Sequence, residues 1–462
     1  MKHPTSIRAL AAAACTLAAV GCAHEPMPLA DSLSEGISRG TGVIPSWAAG
    51  SEPEDAQSLR HAAADPVPDP LDEREAVRLA LERSPELARM IAKAEAMRHE
   101  AVDMSLPMNP MLNVGSGVPV GSMGTVPVLA MVMGQIDELW TRPARSAVAR
   151  DTYAAMLLDL GAQAVSMAAK ARSMWHEVQL RDEELLHAEH DERITARLVA
   201  IAREQVTVGE ADLSMLQEAT AEYSDAHHRT SKAREARDAA RLALMAMMGR
   251  ADAPLEWRTG SPDPAAQAAV HLPLGSEVQL LDALAANRLD VRAAEARLRA
   301  AEASLKLARL TRLRQIQLGA GYERDMERME AIMFNANIEL PVFNDGSARI
   351  GRAAAEMRAA ALDAERVRQA AIVQLRTALS RARAADERRD ITMSAVVTPG
   401  HEAFARAQAA VDAGEGTLAR ALDVEHSLNH ARLELTDMER ERRMMRIELA
   451  QASGFLPLEV SP

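Results

Sequence analysis

Aromatic residues are scarce in this chain: four Trp, three Tyr and four Phe among 462 residues, or 2%. Large rings dominate the burial in most compact cores, so this palette argues against an ordinary globular enzyme. Cysteine is nearly absent as well, with only Cys15 and Cys22, which leaves no disulfide framework and no paired-thiolate metal site. There is no basic excess. Fifty-three Lys and Arg face 66 Asp and Glu, a formal charge of −13, and the electrostatic footprint for nucleic acid is missing. Beyond the first 22 residues no apolar run reaches the roughly 20 residues a membrane helix needs. What the chain does have is Ala, Leu, Arg, Glu and Met in quantity, residues that lose little rotamer freedom in long helices.

The N-terminus reads as an export signal. Lys2 and Arg8 supply a basic start, Ala9 to Val20 form a short apolar run, and small residues follow. Leu17-Ala18-Ala19-Val20-Gly21-Cys22 resembles a bacterial lipobox, which implies cleavage before Cys22 and lipid attachment to it; a plain signal peptide is the alternative. Ala23, rather than Asp, follows the cysteine, which in such lipoproteins implies sorting to the outer membrane. Loss of Lys2 and Arg8 with the signal leaves a mature charge of about −15.

The remainder is a duplication. Ala80-Leu81 matches Ala283-Leu284, Leu112 and Val114 match Ile316 and Leu318, and Ile136-Asp137 matches Ile338-Glu339. Ala144-Arg145 matches Ala348-Arg349, Gly209-Glu210 matches Gly414-Glu415, and Gly249 matches Gly454, all at an offset of about 204 residues. Each half predicts one helix (about 72–106, then 276–310), a strand pair, a helix of about 65 residues (141–207, then 346–411) and a returning helix. In the second half Ile316, Leu318, Ala320 and Tyr322 alternate with Gln315, Gln317, Gly319 and Gly321. Ile332, Phe334, Ala336 and Ile338 alternate with Met333, Asn335, Asn337 and Glu339. One apolar and one polar face is the pattern of a barrel wall between lipid and water. The charged residues Glu323, Arg324, Asp325, Glu327, Arg328 and Glu330 are expected in an exposed loop between these strands. Gly209 and Gly414 are the expected hairpin-tip turns. The alanines Ala353, Ala354, Ala355, Ala359, Ala360 and Ala361 suit close helix packing.

The resulting plan is a signal peptide (1–21), a lipidated tether (22–70), a first repeat (71–250), a linker (251–275), a second repeat (276–455) and a tail (456–462). The fold class is mainly α with a small β part: long helical hairpins forming an α-barrel, and four strands contributing to a transmembrane β-barrel shared between chains. Four strands cannot close a barrel, and open edges are not tolerated in lipid, so several copies must contribute. Ile338-Glu339-Leu340-Pro341-Val342-Phe343-Asn344-Asp345-Gly346 resembles the strand-to-helix junction of TolC/OprM-like outer-membrane factors. Val411-Asp412-Ala413-Gly414-Glu415, with Leu418, Leu422 and Asp423, is similar to their hairpin tip. Gln135-Ile136-Asp137-Glu138-Leu139-Trp140 is a weaker counterpart of the junction. Glu138-Leu139-Trp140-Thr141-Arg142 also resembles the heavy-metal branch of that family. The resemblance implies a homotrimer with a twelve-stranded barrel in the outer membrane of a Gram-negative cell, lipid-anchored and projecting into the periplasm. It implies an efflux channel, not an enzyme, with a periplasmic adaptor (membrane fusion) protein and an inner-membrane pump as partners, and no cofactor. The alternative is a periplasmic helical scaffold or adaptor lipoprotein without a pore.

The chain departs from the family in its few barrel-side aromatics (Trp140, Tyr322, Phe334, Phe343). Val411 and Gly416 also stand where family members often carry a Tyr and an Arg that lock the entrance. Candidate gate residues are Glu210, Asp212, Glu415, Arg420 and Asp423, which a trimer would arrange as charged rings at the periplasmic entrance, against the simpler reading of solvated helix ends. Met104, Met108, Met111, Met123, Met131 and Met133 cluster near the first strand pair, either as core filler or as a thioether path for Cu(I) or Ag(I). His187 and His190, with Glu183 and Glu184, fit either a divalent ion or an exposed polar stripe, of which the stripe is expected; no metal site is assigned. His401-Glu402 lacks the second His of a zinc-protease helix, Gly115-x-Gly117 opens no phosphate-binding helix, and no Ser-His-Asp or Walker pattern occurs.

Overall fold

A computed structural model describes residues 37, 38, 41, 43 and 45, and 67–117, 126–262, 277–312, 316–325, 327 and 329–454. Cys22, Met123, Gln315, Arg328, the signal segment and the C-terminal tail lie outside the described residues. The first repeat runs α1 (Glu73–Arg83), α2 (Pro85–Ser105), β1 (Met111–Ser116), β2 (Val128–Gln135), α3 (Glu138–Thr207) and α4 (Leu213–Met247). The second runs α5 (Glu277–Asn287), α6 (Leu289–Leu310), β3 (Gln317–Arg324), β4 (Glu330–Asn337), α7 (Ser347–Thr392), a π-helical turn (Met393–Val397), α8 (Thr398–Asp412) and α9 (Leu418–Ser453). The fold is mainly helical with one small sheet, as the sequence pattern predicts.

Three expectations need correction. The single opening helix of each repeat is two helices, parted at Ser84 and at Arg288, both in extended backbone. In the first repeat the cause is local: Pro85 cannot donate within a helix but suits its first turn, and Ser84 Oγ accepts from the Leu87 amide at 3.4 Å. A tertiary cause acts in both repeats. Gly249 and Gly454, with φ of 69° and 85°, bring the ends of α4 and α9 against these breaks. A Cβ at Gly249 would lie 3.1 Å from the Arg83 carbonyl oxygen, and one at Gly454 2.9 Å from the Arg288 nitrogen.

The second long helix is likewise not uniform. Pro399 has no amide hydrogen, and the chain absorbs the missing bond as a π turn just before it, where Thr398 Oγ1 donates to the Met393 carbonyl at 2.9 Å. Thirdly, Glu323, Arg324 and Glu330 belong to the strands and not to the loop, with Arg324 paired opposite Glu330.

The strands form one antiparallel sheet in the order β1-β2-β3-β4. Equivalent arginines join sheet to helices in the two repeats. Arg145 donates to the carbonyls of Met104 (2.7 Å) and Leu106 (2.9 Å) at the end of α2, and Arg349 donates to the Thr311 carbonyl (2.7 Å) at the end of α6. Glu138 accepts from Arg145 and from the Met108 amide, each at 2.8 Å, completing the first junction.

α3, at 70 residues, is about 105 Å long at about 1.5 Å per residue. Its midsection carries the core. Leu160, Ala164, Ala168 and Ala171 pack on α1 and α2 with Ile37 and Val43, and Trp175 packs among Leu71, Leu244, Met245 and Trp257, donating from Nε1 to the Leu71 carbonyl at 2.9 Å. The second repeat has a leaner core of Leu284, Val291, Leu375, Ala378, Leu379, Ala382 and Leu449. Leu375 is fully buried there. Leu375→Ala is expected to cost about 2–5 kcal/mol, read as a lower midpoint of the helical circular-dichroism signal; an unchanged midpoint would show that this layer adds little.

Candidate functional site

The sheet sorts its side chains by face with few exceptions. Because directly paired residues share a face, the register places Leu112, Val132, Ala320 and Phe334 in one row and Val114, Ala130, Tyr322 and Ile332 in the next. This face is apolar and open: Phe334 is 82% exposed, Val114 69% and Ile332 67%. The opposite face carries Gln135, Gln317 and Asn337, then Met111, Met133, Gly319 and Asn335, then Asn113, Met131, Gly321 and Met333. Among the described residues, each outer strand, β1 and β4, has one edge unpaired. A solvated sheet would hide its apolar face; this sheet leaves it open, and the polar residues of its outer strands are exposed as well. An apolar face opposite a polar one is the pattern of a barrel wall between lipid and water.

At the other end of the long helices lie the two tips. Gly209 (φ 82°) and Gly414 (φ 72°) end α3 and α8 in the same way. The Glu210 amide donates to Gln205 (2.8 Å) and the Glu415 amide to Ala410 (2.9 Å), closing each helix with a left-handed residue. Asp212 and Thr417 precede the return helices, and only Thr417 caps with its side chain, accepting from the Arg420 amide at 3.3 Å. Glu210, Asp212, Glu415, Arg420 and Asp423 are all exposed, and none enters an ion pair among the described residues. The structure thus collects these residues at the two hairpin ends but does not bring them together within one chain.

His187 and His190 do not form an exposed stripe. Among the described residues no group of three His, Cys, Asp or Glu is placed to hold a metal. Both histidines lie half-buried where α3 meets α9, joining the two hairpins. His187 Nδ1 contacts Asn429 Oδ1 at 3.3 Å, and Asn429 Nδ2 donates to the His187 carbonyl at 2.9 Å. His190 Nε2 lies 3.1 Å from Glu425 Oε1. Beside them Asp191, nearly buried, holds His426 Nδ1 at 2.7 Å and Arg229 at 3.0 Å. The spacing of Glu425, His426 and Asn429 on α9, matched to His187, His190 and Asp191 on α3, was the available sequence signal for this clasp.

The hydrogen bond to Asp191 raises the His426 pKa above its ordinary 6.5, against the effect of burial. Burial pushes the Asp191 carboxyl up, but the bond from His426 and the charges of His426 and Arg229 outweigh it and hold the carboxyl below its ordinary 3.8. Burial lowers His187.

Further ion pairs lie elsewhere along the helices. Glu73, fully buried, pairs with Arg172 at 3.1 Å, and Arg172 donates to the Thr41 carbonyl at 2.5 Å, fixing part of the N-terminal segment on α3. Along the second hairpin, Arg442 and Arg446 share Asp386 (2.8 and 2.5 Å) while Arg389 meets Glu439 at 2.7 Å. No helix among the described residues is long and apolar enough to cross a membrane.

Long helical hairpins carrying a small sheet with an exposed apolar face give the chain the fold of TolC-like outer-membrane channels. Residues 280–455 match the outer membrane efflux protein family model, in agreement with the TolC/OprM-like resemblance read from the sequence. Solved structures show the same fold along most of the chain. CusC matches at 20% identity over 83% of this chain and 92% of its own, with a TM-score of 0.67. VceC from Vibrio cholerae matches at 17% identity over 84% and 97%, TM-score 0.65. The open state of MtrE from Neisseria gonorrhoeae matches at 20% identity over 84% and 91%, TM-score 0.66. No curated protein matches the chain.

The clasp generates a pH prediction. A raised histidine contributes stability that is complete below 6.5 and is lost as pH rises through its higher folded value. A lowered aspartate contributes above 3.8 and loses its contribution as pH falls through its lower folded value. The pair is therefore strongest between these limits. His187 acts the other way, its neutral ring being favoured and its cost growing as pH falls below 6.5. The thermal midpoint is expected to decline as pH rises from 6.5 toward about 8, and His426→Gln should flatten that slope. An unchanged slope in the variant would assign the decline elsewhere.

Proposed function

We propose that the protein is the outer-membrane channel subunit of a tripartite efflux system, a passive exit duct from periplasm to exterior. The observation that carries this reading is the sheet: an exposed apolar face, a polar opposite face and open edges on both outer strands. An open edge in hydrocarbon costs several kcal/mol for each unmet backbone group, so the sheet is usable there only when other copies close it. Three copies would give twelve strands, within the range of known barrels. Support for a helical tube beneath comes from α7, whose Leu362 and Val373 are 74% and 61% exposed in the single chain. Of its candidate small residues only Ala353 is buried within the chain, leaving Ala355, Ala359 and Ala361 open for neighbouring copies.

In this reading Cys22 carries the lipid and the tether (22–70) leads to two repeats, 71–250 and 276–455, with 251–275 as the linker between them. The hairpin tips face the periplasm, where an adaptor protein and an inner-membrane pump would dock. No catalytic step is proposed; the pump selects the cargo. Glu210, Asp212, Glu415, Arg420 and Asp423, exposed at the tips, would form charged rings at the entrance and favour cations.

The test is the mass of the detergent-extracted protein by light scattering with the detergent contribution removed, together with conductance in planar bilayers. Three times the protomer mass and discrete channel openings are expected. A Cys22→Ala protein that is monomeric without detergent and conducts nothing would overturn the channel and leave a periplasmic scaffold. Neutralising the tips in Glu210→Gln/Asp423→Asn is expected to reduce cation over anion selectivity in those recordings. Unchanged selectivity would remove the tips from the conduction path.

A further inference from the structure

All four methionines of the sheet lie on its polar face. Met111 stands directly opposite Met133, and Met131 and Met333 flank Gly321. The apolar face, where a methionine would be welcome on hydrophobic grounds alone, has none. Packing does not call for this sorting, since the rest of the polar face is built mainly from Gln, Asn and Gly.

The local geometry gathers the thioethers. Directly opposed side chains have Cβ atoms about 4.5–5.5 Å apart, which brings Met111 and Met133 within mutual reach. Met131 lies two residues from Met133 on the same strand. The space across the neighbouring strand is kept clear by glycine. A Cβ at Gly319 would lie 3.2 Å from Met131 Sδ and 2.9 Å from Met133 Cγ, so both side chains lean over the same bare position. Gly321, paired between Met131 and Met333, packs directly against the Met131 backbone, where a Cβ would lie 2.9 Å from the Met131 Cα. Asn113 Nδ2 donates to Met133 Sδ at 3.0 Å, occupying one sulfur lone pair and leaving the second free. Met131 and Met133 are only 6% and 4% exposed and so are held in place, whereas Met111 and Met333 are 49% and 39% exposed and open to the aqueous side.

We propose that this patch is a binding site for soft monovalent cations, Cu(I) or Ag(I), on the inner wall of the barrel. The inference rests on the channel reading for which side is the lumen and deepens it by naming a cargo class. Neutral thioethers do not strip water from hard cations, but polarisable d¹⁰ ions accept two or three of them. Because the donors carry no charge, the ion is held weakly enough to leave again, as conduction through a wall site requires. The Asn113 contact orients Met133 as outer-shell hydrogen bonds orient metal ligands elsewhere.

The experiment uses the full-length protein in detergent, titrated with Ag(I) against a competing chelator, with light-scattering mass and bilayer conductance measured on the same samples. The wild type is expected to bind at least one Ag(I) per protomer, with sulfur ligation seen by X-ray absorption and no displacement by Zn(II). Met131→Leu/Met133→Leu, which keeps volume and apolar character, is expected to weaken binding about tenfold or more while mass and conductance stay unchanged. Should that variant fail to assemble, Met111→Leu/Met333→Leu at the exposed positions provides the same comparison. Equal Ag(I) binding by wild type and variants, or none by a conducting wild type, overturns the metal site and leaves the channel standing. A wild type that binds Ag(I) through sulfur but neither trimerises nor conducts overturns the channel reading and, with it, the luminal placement of the site.

Discussion

The structure depends on a set of backbone hydrogen bonds, along the outer edges of β1 and β4, that is unmet among the described residues. A four-stranded sheet of this length is too narrow to curl onto itself, and its apolar face forbids a simple life in water. The sheet therefore imposes its needs on the rest of the chain. Each repeat must deliver two strands side by side, at one level, with one face apolar throughout. Duplication meets that need economically, because β1-β2 and β3-β4 are two copies of one hairpin laid edge to edge through the β2–β3 pairing.

Delivering strands at one level requires stiff joints between sheet and helices, and the two repeats solve this with the same groups. Arg145 and Arg349 hold the carbonyls that end α2 and α6, where the chain leaves the helix for the sheet and would otherwise carry unsatisfied acceptors. At the midsection, Gly249 and Gly454 return the chain to the breaks at Ser84 and Arg288. The departures from symmetry are as informative. Only the first repeat builds a core around Trp175 and buries the Glu73–Arg172 pair, and it is also the repeat against which residues 37 and 43 pack. A buried ion pair is poor stabilisation in itself, since desolvation offsets most of the Coulomb gain. Its specific effect here is to hold Arg172 where it donates to the Thr41 carbonyl.

Much of the fold was legible because period and spacing carry it. The alternation through Leu318, Ala320 and Tyr322 and through Ile332, Phe334 and Ala336 specifies both strands and the face each residue takes, and Gly209 and Gly414 mark the tips with the positive φ that glycine accepts cheaply. What was not legible has physical causes. The break at Arg288 is imposed by the close approach of Gly454, a tertiary contact with no local sign. The π turn was written locally, in Pro399, but a single proline does not say whether a helix ends, kinks or widens. Charged residues at Glu323, Arg324 and Glu330 suggested a loop, yet they pair across the end of a hairpin, where strands project beyond the apolar layer. The histidine clasp left a signal only in the matched spacing of two distant helices, because each half of it, read on its own helix, looks like an ordinary polar face. Only the pairing of α3 with α9 brings Asp191 to His426.

Within the hairpins, burial is uneven in a way that bears on movement. α3 buries residues along most of its length, and the clasp ties it to α9 through hydrogen bonds whose partners are half-buried or better. α8, between the π turn and the tip at Gly414, buries none of its residues in the single chain. Opening free energy follows the buried contacts that a segment must break, so α8 has the least to lose by shifting. The π turn sits at its upper end, a place where the i→i−4 ladder is already interrupted, and angular change there breaks fewer intact bonds than elsewhere in a long helix. The clasp and the π turn thus divide the second hairpin. α9 is held to the first hairpin, while the lower part of the outgoing helix is fastened chiefly to α9. An entrance made from such hairpins would widen by displacement of α8 before any loss of the α3–α9 contact, because the clasp must lose paired, partly desolvated charges to part and α8 need not.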